Sequence, residues 1–423
     1  KLQYIYSACA IIETPDLRIA SDPWLTPGAD IGSWLQYPPL NRDPIELLGK
    51  VDAIYISHVH ADHYDPVFLR QYLKVYPNVK FFVTDGALGL LARRMKLDGF
   101  EIEQFEKQKI KNTEIHIIPC NSSQWDHDTA CVIVHNHQSI VNMNDNHINP
   151  EQIKKISAIC PNGQPTVALL PYTGAGPFPQ TYYFDDIEKQ KEAAKQKKYQ
   201  FLEIYKEYID LLNPKVAIPF AGKFVLMGPL SQYNHLRGYA DAVEVLDIPG
   251  YEDVSIVLED NGRGIFNLDD MTATALRTEP YNQETMDNYI AKYPFPGYHY
   301  EQEFKFLGNR PLPLLNLLKV AYERALDRSP TDFSYWICLK TGLDKPAFVF
   351  NTQKNKGVHL RDTFSTLKPR IEVEIDMRLL FGILTGYYHW EEMDGGSHTM
   401  TRRIPIDFRP EVYDFLRYLA AAP

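Results

Sequence analysis

Short apolar runs alternate with helix-period segments through the first half of the chain. Two strand-like stretches come first, "YIYSACAIIE" and "LRIASDPWL", the second running into a loop rich in Pro, Gly and Trp, so an opening hairpin is expected. From Val51 to Thr173, "VDAIYIS", "KFFVT", "EIHIIP", "TACVIV", "SIVNMN" and "TVALLPY" read as buried strands, with helices over "PVFLRQYLKVY" and "ALGLLARRMK". That rhythm predicts a layered α/β domain. Residues 184–212 form a long expected helix whose acidic start and later lysines suit its dipole, and whose charge run reads as a solvated face. After "KVAIPF" the pattern loosens, and "YPFPGYHY" and "NRPLPLLNLL" place a boundary near residue 300. Two domains follow: a larger one over 1–300 and a small α+β module over 301–423, with a strand pair in "PAFVFNTQ" and "RIEVEIDM" and a final helix in "RPEVYDFLRYLA".

Composition narrows the classes. With 423 residues, 44% of them hydrophobic, the chain can bury a large core. A formal net charge of -10 gives no basic footprint for nucleic acid. No apolar run approaches the roughly 20 residues that span a bilayer, and the opening reads as strand rather than signal peptide. Five scattered cysteines form no C-x-x-C pair, and a cytoplasmic protein is expected.

Candidate chemistry concentrates in "AIYISHVHADH", which delivers His58 and His60 at the end of an expected strand, then Asp62 and His63 where the chain turns toward a helix. Strand alternation lets His58 and His60 point the same way. So many ionisable groups cannot be buried together without partners, and a metal site supplies that need.

The motif H-x-H-x-D-H, after a hairpin ending in "SDPWL", resembles the metallo-β-lactamase superfamily. The resemblance implies a metallo-β-lactamase-like αβ/βα sandwich with a C-terminal α+β extension, and a dinuclear site at one edge. By the motif, His58 and His60 hold one metal, Asp62 and His63 the other, and Asp145 of "IVNMNDNHIN" bridges them. Two departures stand out. Where superfamily hydrolases supply a further histidine, the first loop here reads "NSSQWDHDTA", offering Asp126, His127 and Asp128; the late loop "IPFAGKFVLMGP" has no histidine. An acid in place of a histidine suits iron or manganese better than zinc.

Further stretches, "DTACVIVHNHQSIVNMND", "LLPYTGAGPFPQTYYF", "VAIPFAGKFV" and the tail's "PEVYDFLRYL", are similar in order to the non-Rieske part of CMP-N-acetylneuraminate hydroxylases. A Rieske cluster needs paired Cys and His ligands that this chain lacks. The scaffold is also similar to that of the nonheme diiron monooxygenases of natural-product pathways. The resemblance therefore implies two irons, O2 as co-substrate, and an external ferredoxin or reductase. A dinuclear zinc hydrolase of esters, lactones or phosphodiesters is the alternative. The resemblance leaves the substrate open among a nucleotide-linked sugar, a carrier- or CoA-bound acyl group and a hydrophobic intermediate. Tyr172, Thr173 and Phe178 in "PYTGAGPFP", with Phe220 and Lys223 in "PFAGKF", are candidate pocket residues. In the tail, "HWEEMDGGSHTMTRR" is expected as a charged surface hairpin; were it to fold over the metal edge, His398 would become a candidate extra ligand.

Overall fold

The computed structural model describes residues 1–84, 89–120, 128–308, 310–329, 331–342, 345–354 and 356–420. Two sheets lie face to face. The first has eight strands in the order Thr272–Thr274, Ile265–Asn267, Leu2–Tyr6, Cys9–Glu13, Arg18–Ser21, Ala53–Tyr55, Lys80–Val83 and Ile102–Gln104. Its N-terminal strands are antiparallel, as the expected hairpin requires, and it becomes parallel from Arg18–Ser21 onward. The second has six, in the order Val216–Phe220, Val167–Pro171, Gln138–Asn142, Thr129–His135, Thr113–Pro119 and Lys107–Ile110.

The inner faces share one core, in which Leu2, Ala10, Ile12 and Phe82 of the first sheet meet Ile115, Ile117, Ile133 and Leu169 of the second. Helices cover the outer faces. Pro66–Val75 begins where Asp65 accepts the Phe68 N–H at 2.9 Å, with Pro66 at the first helical position, and presses Phe68, Leu69 and Tyr72 onto the first sheet. Full burial of side chains such as Phe68 and Leu69 contributes about 2 kcal/mol each. The long helix, expected from residue 184, starts at Ile187 because Asp186 caps it, and ends at Asn213, a left-handed residue before Pro214. Its buried stripe, Leu202, Tyr205, Tyr208, Ile209 and Leu212, packs on the second sheet, leaving the charge run outside. The result is an αβ/βα sandwich.

The C-terminal module is richer than the expected strand pair. Five strands in the order His359–Arg361, Ala347–Asn351, Trp336–Lys340, Arg370–Glu374 and Met400–Ile404 form a mixed sheet, with Trp336–Lys340 and Arg370–Glu374 parallel. Helices Leu314–Arg328, Met377–Thr385 and Pro410–Arg417 bury Leu318, Tyr322, Leu380, Ile383 and Phe415 against it. Tyr298, Tyr300 and Ile31 belong to the same core, so packing crosses the boundary drawn near residue 300. The edge strand Met400–Ile404 also reaches the sandwich: Thr401 donates its N–H to Thr181 O at 2.9 Å and accepts from Tyr183 N at 2.8 Å.

Candidate metal centre

Strand Ala53–Tyr55 ends before the histidines, which lie in the following loop rather than on the strand. The reason is a side chain that replaces the sheet ladder. Asp22 Oδ1 accepts the Ser57 N–H at 2.7 Å and Asp22 Oδ2 accepts the Ser57 hydroxyl at 2.7 Å, so the chain leaves the sheet at Ser57. A turn follows, in which Tyr64 N donates to His60 O at 2.8 Å and returns His63 toward His58. Asp65 then ties the neighbouring loop in place by accepting from Leu25 N, Thr26 N and the Thr26 hydroxyl.

The turn, not strand alternation, brings the imidazoles together. His58 Nε2 and His60 Nδ1 are 2.8 Å apart, and the His58 and His63 ring centroids are 4.1 Å apart. His63 Nε2 faces Asp145 Oδ2 at 3.2 Å and Asp62 Oδ2 at 3.5 Å, while its Nδ1 meets Asp22 Oδ2 at 3.0 Å. Asp145 arrives from the second sheet, three residues beyond strand Gln138–Asn142. Single ligand atoms of His58, His63 and Asp145 all lie within 4.8 Å of one another. Asp128 Oδ1 is 2.9 Å from His58 Nδ1, the ring nitrogen opposite the one that faces His60. Asp126 and His127 lie outside the described residues.

Electrostatics express a surplus of acid. Burial opposes protonation of His63, but Asp62, Asp145 and Asp22 outweigh it and raise its pKa well above the ordinary value. Burial likewise opposes charge on His60, which Glu391, Asp128 and Asp62 together raise to about 9; at 39% side-chain exposure, solvent screens part of that pull. Burial pushes Asp145 up, yet His63, with His58 and His60, holds it well below the usual carboxylate range. Imidazole and carboxylate donors converging with their far atoms already fixed by Asp22, Ser57 and Asp128 fit a divalent cation pair, whose charge would offset the acids.

The tail does fold over this edge. Glu391 Oε2 lies 3.8 Å from His60 Nε2, and Arg417 Nε holds the same carboxylate at 2.9 Å. His398 takes another place: its Nε2–H donates to Asp30 O at 2.9 Å, and its ring packs against Tyr298 and Tyr300. A cavity of about 350 Å³ opens on His60 between helix Leu90–Leu97 and segment 386–392, with Val59, Leu90, Arg93, Tyr387 and Tyr388 among its walls. The five residues singled out for a pocket do not line it. Phe220 and Tyr172 are buried in the two sheet cores. Thr173 is buried beside Gly222, and Lys223 Nζ sits over the Tyr281 ring at 3.2 Å. Phe178 packs on Tyr182 and Phe184 under Arg403.

Sequence reasoning passed over Asp22, Ser57, Asp30 and the Glu391 contact. Asp22 left the clearest signal, an acid closing an alternating strand immediately before a proline.

Residues 1–117 match the family model described as a beta-lactamase superfamily domain. The chain is 28% identical over 257 residues to the cytidine monophosphate-N-acetylneuraminic acid hydroxylase of Asterias rubens, which covers 58% of this chain and 38% of that protein. It thus spans about two fifths of that relative's length. Among solved structures it is similar to CmlA, a diiron beta-hydroxylase from Streptomyces venezuelae (16% identity, 61% of this chain and 52% of that chain, TM-score 0.39). It is also similar to an isothiocyanate hydrolase from Delia radicum gut bacteria (14% identity, 61% and 96%, TM-score 0.43). Residues 1–117 thus match a beta-lactamase superfamily domain, and they contribute most of one sheet of the two-sheet αβ/βα sandwich.

Proposed function

We propose that this protein is a nonheme diiron monooxygenase, an O2-dependent hydroxylase of a small molecule or biosynthetic intermediate. The observation that carries the reading is the donor set: His58, His63 and Asp145 within 4.8 Å of one another, with Asp62 adding oxygen and no histidine in the late loop that supplies one in the hydrolases. His58 and His60 would hold one iron, Asp62 and His63 the other, and Asp145 would lie between them. Bound iron supplies reduction of O2 and hydroxylation of a C–H bond, with electrons from a ferredoxin or reductase. The similarity to a protein named as a hydroxylase supports this reading.

The protein's part is orientation and enclosure. Asp22 fixes the His63 ring through Nδ1, leaving Nε2 toward Asp145 and Asp62. Ser57 and Asp128 fix His58 through its Nδ1. Segment 386–392 closes over His60, and the cavity between it and helix Leu90–Leu97 has the size and mixed walls of a small-molecule site.

A dinuclear zinc hydrolase is the second reading, favoured by the beta-lactamase superfamily match, and it would use the same donors to lower the pKa of a bound water. Protein loaded with Fe(II) without oxygen and then exposed to O2 separates the two. A visible charge-transfer band that develops on oxygenation and is absent in His60→Ala is the expected result. Tightly held zinc and a spectrum indifferent to O2 would overturn the oxygenase reading.

A further inference from the structure

Helix Leu90–Leu97 has two distinct faces. Leu91 and Met95 are buried with Phe81 and Val83 of the first sheet, whereas Leu90, Arg93, Arg94 and Leu97, spaced i, i+3, i+4 and i+7, line the cavity that opens on His60. Tyr387 and Tyr388 stand in the facing wall. Large apolar groups there are left uncovered: Leu97 is 80% exposed and Tyr387 58%. Apolar side chains around a cavity that reaches a reactive centre form a surface that an apolar molecule can cover.

Most of the charge on these walls is engaged. Arg94 Nε donates to Asp98 Oδ2 at 2.8 Å, and Asp98 also accepts from Arg70 at 2.9 Å and from the Tyr64 hydroxyl at 2.8 Å, so that acid is already shared three ways. Glu391 lies between Arg417 Nε at 2.9 Å and His60 Nε2 at 3.8 Å. Glu392 Oε2 accepts the His389 N–H at 2.9 Å, and the Tyr388 hydroxyl donates to Glu303. Arg93 differs: it is exposed, and among the described residues its guanidinium has no ion pair, hydrogen bond or ring contact. A guanidinium presents a planar fork of N–H donors that matches carboxylate and phosphate oxygens. On this wall it supplies one anion contact beside an apolar surface.

We propose that this cavity takes an apolar acid, a molecule with an alkyl or aromatic body and one carboxylate or phosphate end, and that Arg93 is the residue that selects it. The body lies against Leu90, Leu97 and Tyr387 while the Arg93 fork holds the oxyanion. At about 350 Å³ the cavity is at the small end of ligand sites and suits a molecule of that kind. The inference rests on the reading of this cavity as the substrate site and is independent of which metal the centre holds. Lys96, on the same helix, is a built-in contrast: its Nζ donates to Gln104 at 3.3 Å, and it does not line the cavity.

The test uses the metal-loaded full chain and three probes of one chain length, octanoate, octyl phosphate and uncharged octan-1-ol, read by displacement of the neutral fluorophore N-phenyl-1-naphthylamine. Wild type is expected to bind at least one of the acids about fivefold or more tightly than the alcohol, and the tighter acid names the oxyanion. Arg93→Gln should abolish that preference, while Lys96→Gln, which removes the same charge from the same helix, should keep it. Leu97→Gln should weaken acid and alcohol alike. Acid and alcohol bound equally by wild type would overturn the inference, as would a preference for acid that survives in Arg93→Gln, because the metal ions would then be holding the anion. Affinities unchanged in Leu97→Gln would place the probes elsewhere and overturn the cavity reading with it. Oxygen consumption by iron-loaded protein reads the oxygenase proposal separately, so its failure would leave selection by Arg93 standing.

Discussion

Asp22 Oδ2 lies 3.0 Å from His63 Nδ1 and accepts the Ser57 hydroxyl at 2.7 Å, so one buried carboxylate joins the end of the strand ladder to the histidine cluster. Asp22 is fully buried, and its contacts to His63 and Ser57 counter the rise in pKa that burial imposes. Asp22→Asn keeps the shape and removes the charge. Metal affinity is expected to fall about 10- to 100-fold because the His63 ring loses its orienting acid, and metal-free stability to fall by about 2 kcal/mol for lost charge-assisted hydrogen bonds. Chelator competition and urea unfolding read the two effects separately.

Arg403 is one polar tie between the module and the sandwich. Its Nε donates to Tyr413 OH at 2.7 Å, its second terminal nitrogen donates to Tyr182 OH at 3.0 Å, and its plane lies over Phe178. A lysine cannot reproduce that fork. Arg403→Lys is expected to cost about 1–2 kcal/mol and to speed limited proteolysis near residues 178–184, with metal content unchanged.

His398 makes acid sensitivity readable. Burial lowers its pKa from 6.5 to about 4, against the Asp30 carbonyl, which favours the ring N–H. Between those values the unfolded chain takes up a proton that the folded chain refuses, so stability is complete above pH 6.5 and falls as pH drops toward 4. The loss attributable to this ring is up to about 3 kcal/mol. His398→Gln, whose amide can still donate to Asp30 O, should flatten the urea midpoint across that window; a wild-type slope retained in the variant would contradict the assignment.

Much of the sandwich could be read from the sequence because its strands and helices have clean periods and caps: Asp65-Pro66 announces one helix and Asn213-Pro214 ends another. His58, His60, Asp62 and His63 were legible because all four ligand candidates sit within six positions. Asp22 and Asp30 were not, since the contacts of Asp22 with Ser57 and His63, and of Asp30 with His398, join residues 35 or more positions apart and local pattern carries no trace of those encounters. The expectation of a surface hairpin for "HWEEMDGGSHTMTRR" failed for the same reason: a charged, glycine-rich stretch looks solvated until tertiary docking sets Glu391 beside His60 and His398 under Asp30. Placing His58 on the strand failed because the ladder ends on the Asp22 side chain, a long-range competitor for the Ser57 N–H.

The most direct test of the account is the iron stoichiometry and oxygen consumption of the chemically reduced, iron-loaded protein, compared with His63→Ala. Two irons per chain, with O2 consumed by wild type and little by the variant, is the predicted result for a dinuclear, oxygen-reactive centre. A single iron or none, or oxygen consumption that is the same in His63→Ala, would contradict it.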